Sequence, residues 1–195
     1  LNNGEVLSVG LAVLTPPTAD PVSLAEAKAH CRIYGTEEDG LLAGYIMAAR
    51  THAETYLDRA LATQTLQFTI DGGWPCDRIT LPRPPLQSVT SITYSDTNGA
   101  TQTLAADQYR VDTTAHQGVI ERAYGVTWPA VRDQARTIVV TYVAGYTQIP
   151  EPIRAAILLL VGHFYENREA VIVGQSPSEL PMGVESLLFP YRVFY

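Results

Sequence analysis

Helical periodicity is confined to the two ends of this chain, and residues 62–146 read instead as short strands separated by turns. An order of helix, strand run, helix points to an α+β fold, in which a helical body built from both terminal segments closes around an inserted antiparallel β module. The chain then continues past its last long helix into an extended C-terminal tail rich in aromatic side chains. The expected division is 1–61 for an N-terminal arm and helical body, 62–147 for the β module, and 148–195 for the third body helix and the tail.

Pro16, Pro17 and Pro21 break the chain ahead of Ser23. The Ser23 hydroxyl can cap a helix starting at Leu24 while Glu26, three residues on, reaches back to complete a capping box. Leu24, Ala27 and Cys31 share one face, and Gly35 is the expected stop. Thr36 is the expected cap of a second helix, followed by Glu37, Glu38 and Asp39, which suit the positive end of the helix dipole. Leu42, Tyr45, Ile46, Ala49, Ala53, Tyr56, Leu57 and Ala60 form its apolar stripe, predicted to run about seven turns at 3.6 residues per turn. Arg50, Glu54 and Asp58 fall on the other face as solvated groups, with Arg50 and Glu54 at i,i+4. Pro150 and Pro152 open a third helix, where a missing N–H costs nothing. Its stripe of Ile153, Ala156, Ile157, Leu160, Val161 and Phe164 is expected to pack on the second. Residues 169–178 read as a loose link, and Pro181 as the opening of a short helix through Leu188.

Between the helices the apolar period changes to two. Leu66, Phe68 and Ile70 alternate with polar residues until Asp71-Gly72-Gly73 turns the chain. Further strands are expected over residues 79–81, 89–94, 101–104, 109–112, 119–122 and 138–143, with hairpin chemistry at Asp96-Thr97-Asn98-Gly99. A meander or small barrel follows from that spacing. Trp74 and Trp128 are expected to pack in the core or against turns.

Composition narrows the function. The net charge is −7, and Lys28 is the sole lysine beside twelve arginines, which disfavours a strongly basic nucleic-acid reader. Lys28 lies inside the first helix with no glycine run before it, so a phosphate-cradling loop is unsupported. The two cysteines, Cys31 and Cys76, make neither a disulfide framework nor a zinc spacing and fit synthesis in a reducing cytoplasm. His30, His52, His116 and His163 are dispersed, and adjacent His30 and Cys31 point about 100° apart on a helix, so no metal or other cofactor is expected. Residues 1–14 carry no basic leader, and the most apolar helix, about 13 residues long, falls short of the ~20 that span a bilayer, so neither secretion nor membrane insertion is expected. No strand-turn-helix serine elbow or catalytic cysteine context is present, and catalytic residues are not expected.

The combination of the two ends carries a resemblance. Pro21-Val22-Ser23-Leu24-Ala25-Glu26-Ala27-Lys28, the long helix with Ala48-Ala49-Arg50 and Ala53-Glu54, and Leu81-Pro82-Arg83-Pro84-Pro85-Leu86 before a strand are similar to tailed-phage head-tail connector (adaptor) proteins, including the equivalent protein of gene transfer agents. Tyr142-Val143-Ala144-Gly145-Tyr146, the segment His163-Phe164-Tyr165-Glu166-Asn167-Arg168-Glu169 and the closing Leu187-Leu188-Phe189-Pro190-Tyr191-Arg192 extend it.

That resemblance implies a structural protein with no catalytic residue and no cofactor. Its copies would form a dodecameric ring beneath the portal protein at the head-tail junction of the virion, join head to stopper or tail-completion protein, and leave a channel for DNA without reading its sequence. Synthesis would take place in the bacterial cytoplasm. The acidic balance suits such a channel, since carboxylates repel phosphate, although solubility alone also explains it. The expected portal-docking surface is Leu187, Leu188, Phe189, Pro190, Tyr191, Arg192, Val193, Phe194 and Tyr195. Its aromatics, proline and arginine are the residues found at interface centres. Burying three rings of ~150 Å² each at about 25 cal/mol per Å² yields on the order of 10 kcal/mol before ordering costs. Folding back onto the chain's own core is the alternative for Leu187, Leu188 and Phe189. Competing functions are a stopper or tail-terminator ring, an enzyme with a cleft between body and sheet, and a ligand-binding β module on a helical stalk.

Overall fold

A computed structural model describes residues 9–168 and 182–194. The elements run β1 (Val9–Thr15), α1 (Leu24–Cys31), α2 (Asp39–Leu57), β2 (Gln64–Ile70), β3 (Arg78–Thr80), β4 (Leu86–Ser95), β5 (Thr101–Thr103), β6 (Tyr109–Asp112), β7 (Val119–Arg122), β8 (Ile138–Ala144), α3 (Glu151–Glu166) and α4 (Met182–Leu188). The fold is α+β, with antiparallel sheets, and it divides into two compact units. One holds residues 1–18 and 63–146, the other residues 19–62 and 147–195.

In the β unit, five strands are ordered β1-β2-β8-β4-β5 and a separate three-stranded sheet is ordered β3-β7-β6. This differs from the meander or barrel expected from strand spacing. The late strand β8 inserts between β2 and β4 because its alternation supplies apolar partners on both sides. Leu66 faces Tyr142, Phe68 faces Val140 and Ile70 faces Ile138, while Ile92 meets Val140 from the other flank. All of these side chains are buried. A one-residue slip would turn that whole set outward, so burial fixes the register. The Tyr142 hydroxyl, carried into the core on its ring, donates to the Pro82 carbonyl at 2.7 Å.

The hairpin between β4 and β5 turns as its sequence suggests. Gly99 takes φ +86°, and the Asp96 carboxylate accepts the backbone N–H groups of Asn98 and Ala100 at 2.9 and 3.0 Å. A hydrogen bond from the Gln102 side chain, together with the one from the Ala100 N–H, holds the pKa of Asp96 below the usual aspartate range. Trp74 and Trp128 stack at 4.6 Å with planes 7° apart. Each indole N–H is satisfied by a backbone carbonyl, Pro129 for Trp74 and Cys76 for Trp128. They staple two loops, as expected of turn-packing residues.

In the helical unit, α1 begins with the capping box: the Ser23 hydroxyl accepts the Glu26 N–H at 3.3 Å and the Glu26 carboxylate accepts the Ser23 N–H at 2.8 Å. The helix stops at Arg32 in the left-handed region, φ 58°, rather than at Gly35. Two hydrogen bonds onto the helix end, from Arg32 and Ile33 N–H, hold it there despite the Cβ. Thr36 is not the cap of α2: residues 36–38 make a turn, and Glu38 stands at the cap position without a side-chain bond to the helix's own N–H groups. The helix covers 19 residues, about five turns rather than seven, and ends at Asp58 with φ 51°. Leu42, Ile46, Ala49, Ala53 and Leu57 are buried, as are Ile153, Ala156, Ile157, Leu160 and Val161 of α3, and the two helices pack together. Tyr45 meets Phe164 at 6.2 Å.

Arg50 and Glu54 are not the solvated pair expected. Arg50 binds Asp20 in the segment before α1, and Glu54 accepts the Leu61 N–H at 2.9 Å. Both charges serve the chain's turns into and out of the helices. At the other end of α2, Glu38 accepts the Tyr165 hydroxyl and the Arg168 guanidinium at 2.6 Å. The Tyr165 hydrogen bond first, and the Arg168 cation second, hold the Glu38 carboxyl below its ordinary range, while the same bond raises the Tyr165 phenol.

Candidate functional site

The tail is set against the exit of α2. Helix α4 places Val184 and Leu188 fully inside the helical unit. A single 3-10 turn, Phe189–Tyr191, then reverses the chain, with the Arg192 N–H donating to the Phe189 carbonyl at 3.2 Å. Val193 is 4 % exposed, and its N–H donates to the Leu57 carbonyl at 3.0 Å. That carbonyl lies in the last turn of α2, where no intrahelical donor remains, so the tail supplies the missing partner. Arg59, itself buried, donates from Nε to the Tyr191 carbonyl.

Two further contacts close the arrangement. The Tyr56 hydroxyl donates to Glu185 at 3.2 Å, and burial first, then this hydrogen bond, pushes the phenol's pKa up. The Arg192 guanidinium lies over the Tyr56 ring at 5.2 Å and over the Phe194 ring at 5.5 Å from the respective centroids.

Eight of the nine expected docking residues are described, and they separate into an inward and an outward set. Leu188 and Val193 are core, and Leu187 and Tyr191 are half-buried. Phe189, Pro190, Arg192 and Phe194 face outward. Phe189 and Phe194 are 54 % and 64 % exposed yet touch each other edge to face at 5.8 Å. Tyr195 lies outside the described residues, as do the loose link at 169–178 and Pro181. The outward set is an apolar knob with one cation at its side, held by a rigid base. Sequence reading missed the base: Tyr56, Arg59, Leu57 and Glu185 make it. The available signal was the arginine directly after a helix end, where carbonyls lack donors.

Among the described residues no group of three or more His, Cys, Asp or Glu converges as a metal site, and no helix is long and apolar enough to cross a membrane. His30 packs toward Gly162 on α3, and the His163 carbonyl accepts the Asn167 N–H at 3.0 Å. Cys31 has its thiol raised by burial, with Glu166 adding to it. The lowered carboxyls Glu26, Glu38, Asp96 and Asp112 belong to caps, turns and the Glu38 clasp. None of these four lines the open depression of about 420 Å³ beside β7, where Asp77 and Arg122 pair at 2.8 Å.

The family model described as "Head completion protein" matches residues 22–194. No curated protein matches the sequence. Among solved structures, a chain from the neck of an empty GTA particle computed with C6 symmetry superposes with a TM-score of 0.79 at 24 % identity, over 95 % of this chain and 96 % of that one. A chain from the virion of a native gene transfer agent (GTA) particle gives 0.78, also at 24 % identity and over 95 % and 96 %. A chain from the neck of a native GTA particle computed with C12 symmetry gives 0.68 at 22 % identity, over 93 % and 96 %. These likenesses are likenesses of fold.

Proposed function

The chain belongs to the head completion protein family, and from that premise we propose that it is the adaptor ring subunit seated beneath the portal at the head-tail junction of a phage or gene transfer agent particle. Copies arranged as a dodecamer join the portal to a stopper or tail-completion protein and leave an axial passage for DNA. The subunit acts by contact, and no catalytic step is assigned to it.

One observation supports the docking role most directly. The tail spends Leu188 and Val193 on its own core and still presents Phe189 and Phe194 as a paired, exposed knob. A tail whose only task was to staple its own unit would gain more by burying those rings than by displaying them, since each can remove ~150 Å² or more from water. Pro190 stiffens the knob, and Arg192, fixed between two rings, offers a planar donor fork to carboxylates or carbonyls on the portal. The knob is thus preorganised, which lowers the ordering cost of docking.

The test is a double substitution, Phe189→Ala with Phe194→Ala, scored for folding by circular dichroism and for joining of DNA-filled heads to tails. The docking reading expects a folded subunit and heads that stay unjoined. Normal joining by the double variant sinks it.

A further inference from the structure

The two sheets treat their edges differently. The three-stranded sheet ends in β3 and β6, which carry Arg78, Arg110 and Asp112. Charges on edge strands discourage pairing with another chain. The five-stranded sheet ends in β1 and β5, and neither Val9–Thr15 nor Thr101–Thr103 contains a charged residue or a proline. Among the described residues β1 pairs only with β2, and residues 10–15 are exposed on both faces. Leu11, Val13 and Leu14 are 41 %, 55 % and 50 % exposed. A bulge at Leu14 ends the regular stretch and leaves the preceding edge open for pairing. Strand β5 is likewise exposed throughout.

We propose that the ring closes through these edges, β1 of one copy adding to β5 of the next copy of the same chain. This rests on the adaptor reading above and names the surface that reading leaves open. Cyclic assemblies of more than two copies need two different, mating surfaces on every subunit. The opposite edges of one sheet meet that need, because backbone N–H and C=O groups on one edge recognise those on another without matching side chains. Polarity agrees as well. Four antiparallel steps separate β1 from β5, so the two run in the same direction. A neighbour related by a small rotation therefore offers β5 parallel to β1, a pairing with evenly spaced bonds. Leu11 and Val13 then leave water against the neighbour's sheet face.

Two measurements on assembled particles test this. With Cys31→Ser and Cys76→Ser as background, Ala12→Cys or Val13→Cys is combined with Gln102→Cys and the particles are oxidised. The edge pairing expects a ladder of disulfide-linked multimers for one or both pairs and none for any single cysteine. Tail-joined particles showing no ladder with either pair overturn it. Separately, Leu11→Lys with Val13→Lys is expected to reduce tail-joined particles at least tenfold while the melting midpoint of the isolated subunit stays within a few degrees. Wild-type joining by this variant also overturns the edge pairing. If particles lacking the subunit altogether join tails normally, the adaptor reading itself fails, an outcome distinct from the other two.

Discussion

The two ends of this chain are comparably apolar and end in opposite circumstances. Among the described residues, strand β1 is attached along one edge only, and its Leu11, Val13 and Leu14 are exposed. The C-terminal tail buries Val184, Leu188 and Val193, fills a vacant helix-end carbonyl and leaves its two phenylalanines, Phe189 and Phe194, exposed. Hydrophobicity alone does not separate the two cases. What separates them is the presence, beside the tail, of a helix terminus with unmet acceptors and of Arg59 to hold the returning backbone.

That contrast predicts a ranking. The largest effect belongs to the buried tail residues. Leu188→Ala leaves a cavity in the helical unit and is expected to cost about 2–5 kcal/mol in denaturant unfolding, whereas Leu11→Ala on β1 costs about 0.5 kcal/mol or less in the isolated subunit. Equal costs would erase the distinction between the ends. Next comes the knob: Phe194→Ala should weaken binding to purified portal by roughly tenfold or more, the effect of losing one interface anchor, with the unfolding midpoint almost unmoved. A stability loss as large as that of Leu188→Ala would reassign Phe194 to the core.

Smaller still is Tyr56→Phe, which removes the hydrogen bond to Glu185 and should cost about 0.5–1.5 kcal/mol while keeping the ring beneath Arg192. The smallest effect concerns acid. Because the Tyr165 hydroxyl and Arg168 hold the Glu38 carboxyl below its ordinary range, its contribution is present above the unfolded carboxylate pKa. It is lost as pH falls through the lower folded value. Glu38→Gln should therefore lower stability slightly near neutral pH and flatten the acid limb, so that the two stability-pH curves converge in acid, a pattern readable by thermal melts from pH 6 down to about 3.

Much of this architecture is legible in the sequence because burial leaves a period. Strands β2 and β8 alternate strictly, and their buried faces are the alternating residues. Strand β1 escapes such a reading for a physical reason: with both faces exposed it has no inside and outside to alternate between, so Val9–Thr15 shows only an apolar run. Chain order likewise hides that β8 lies between β2 and β4, since non-local pairing depends on which faces match. The helix ends went astray where backbone geometry overrode residue preference, at Arg32 instead of Gly35 and at Glu38 instead of Thr36. For the proposed docking surface, composition singled out the segment, but the division between buried Leu188 or Val193 and exposed Phe189 or Phe194 depends on a 3-10 reversal that composition does not encode.

The indole stack has a practical corollary. The chain has two tryptophans, and Trp74 and Trp128 lie face to face within the β unit. Intrinsic emission excited at the indole band is consequently a local reporter. It should record melting of the sheets while staying blind to the helices, so fluorescence and far-ultraviolet dichroism followed side by side would tell whether the two halves unfold in concert or in sequence.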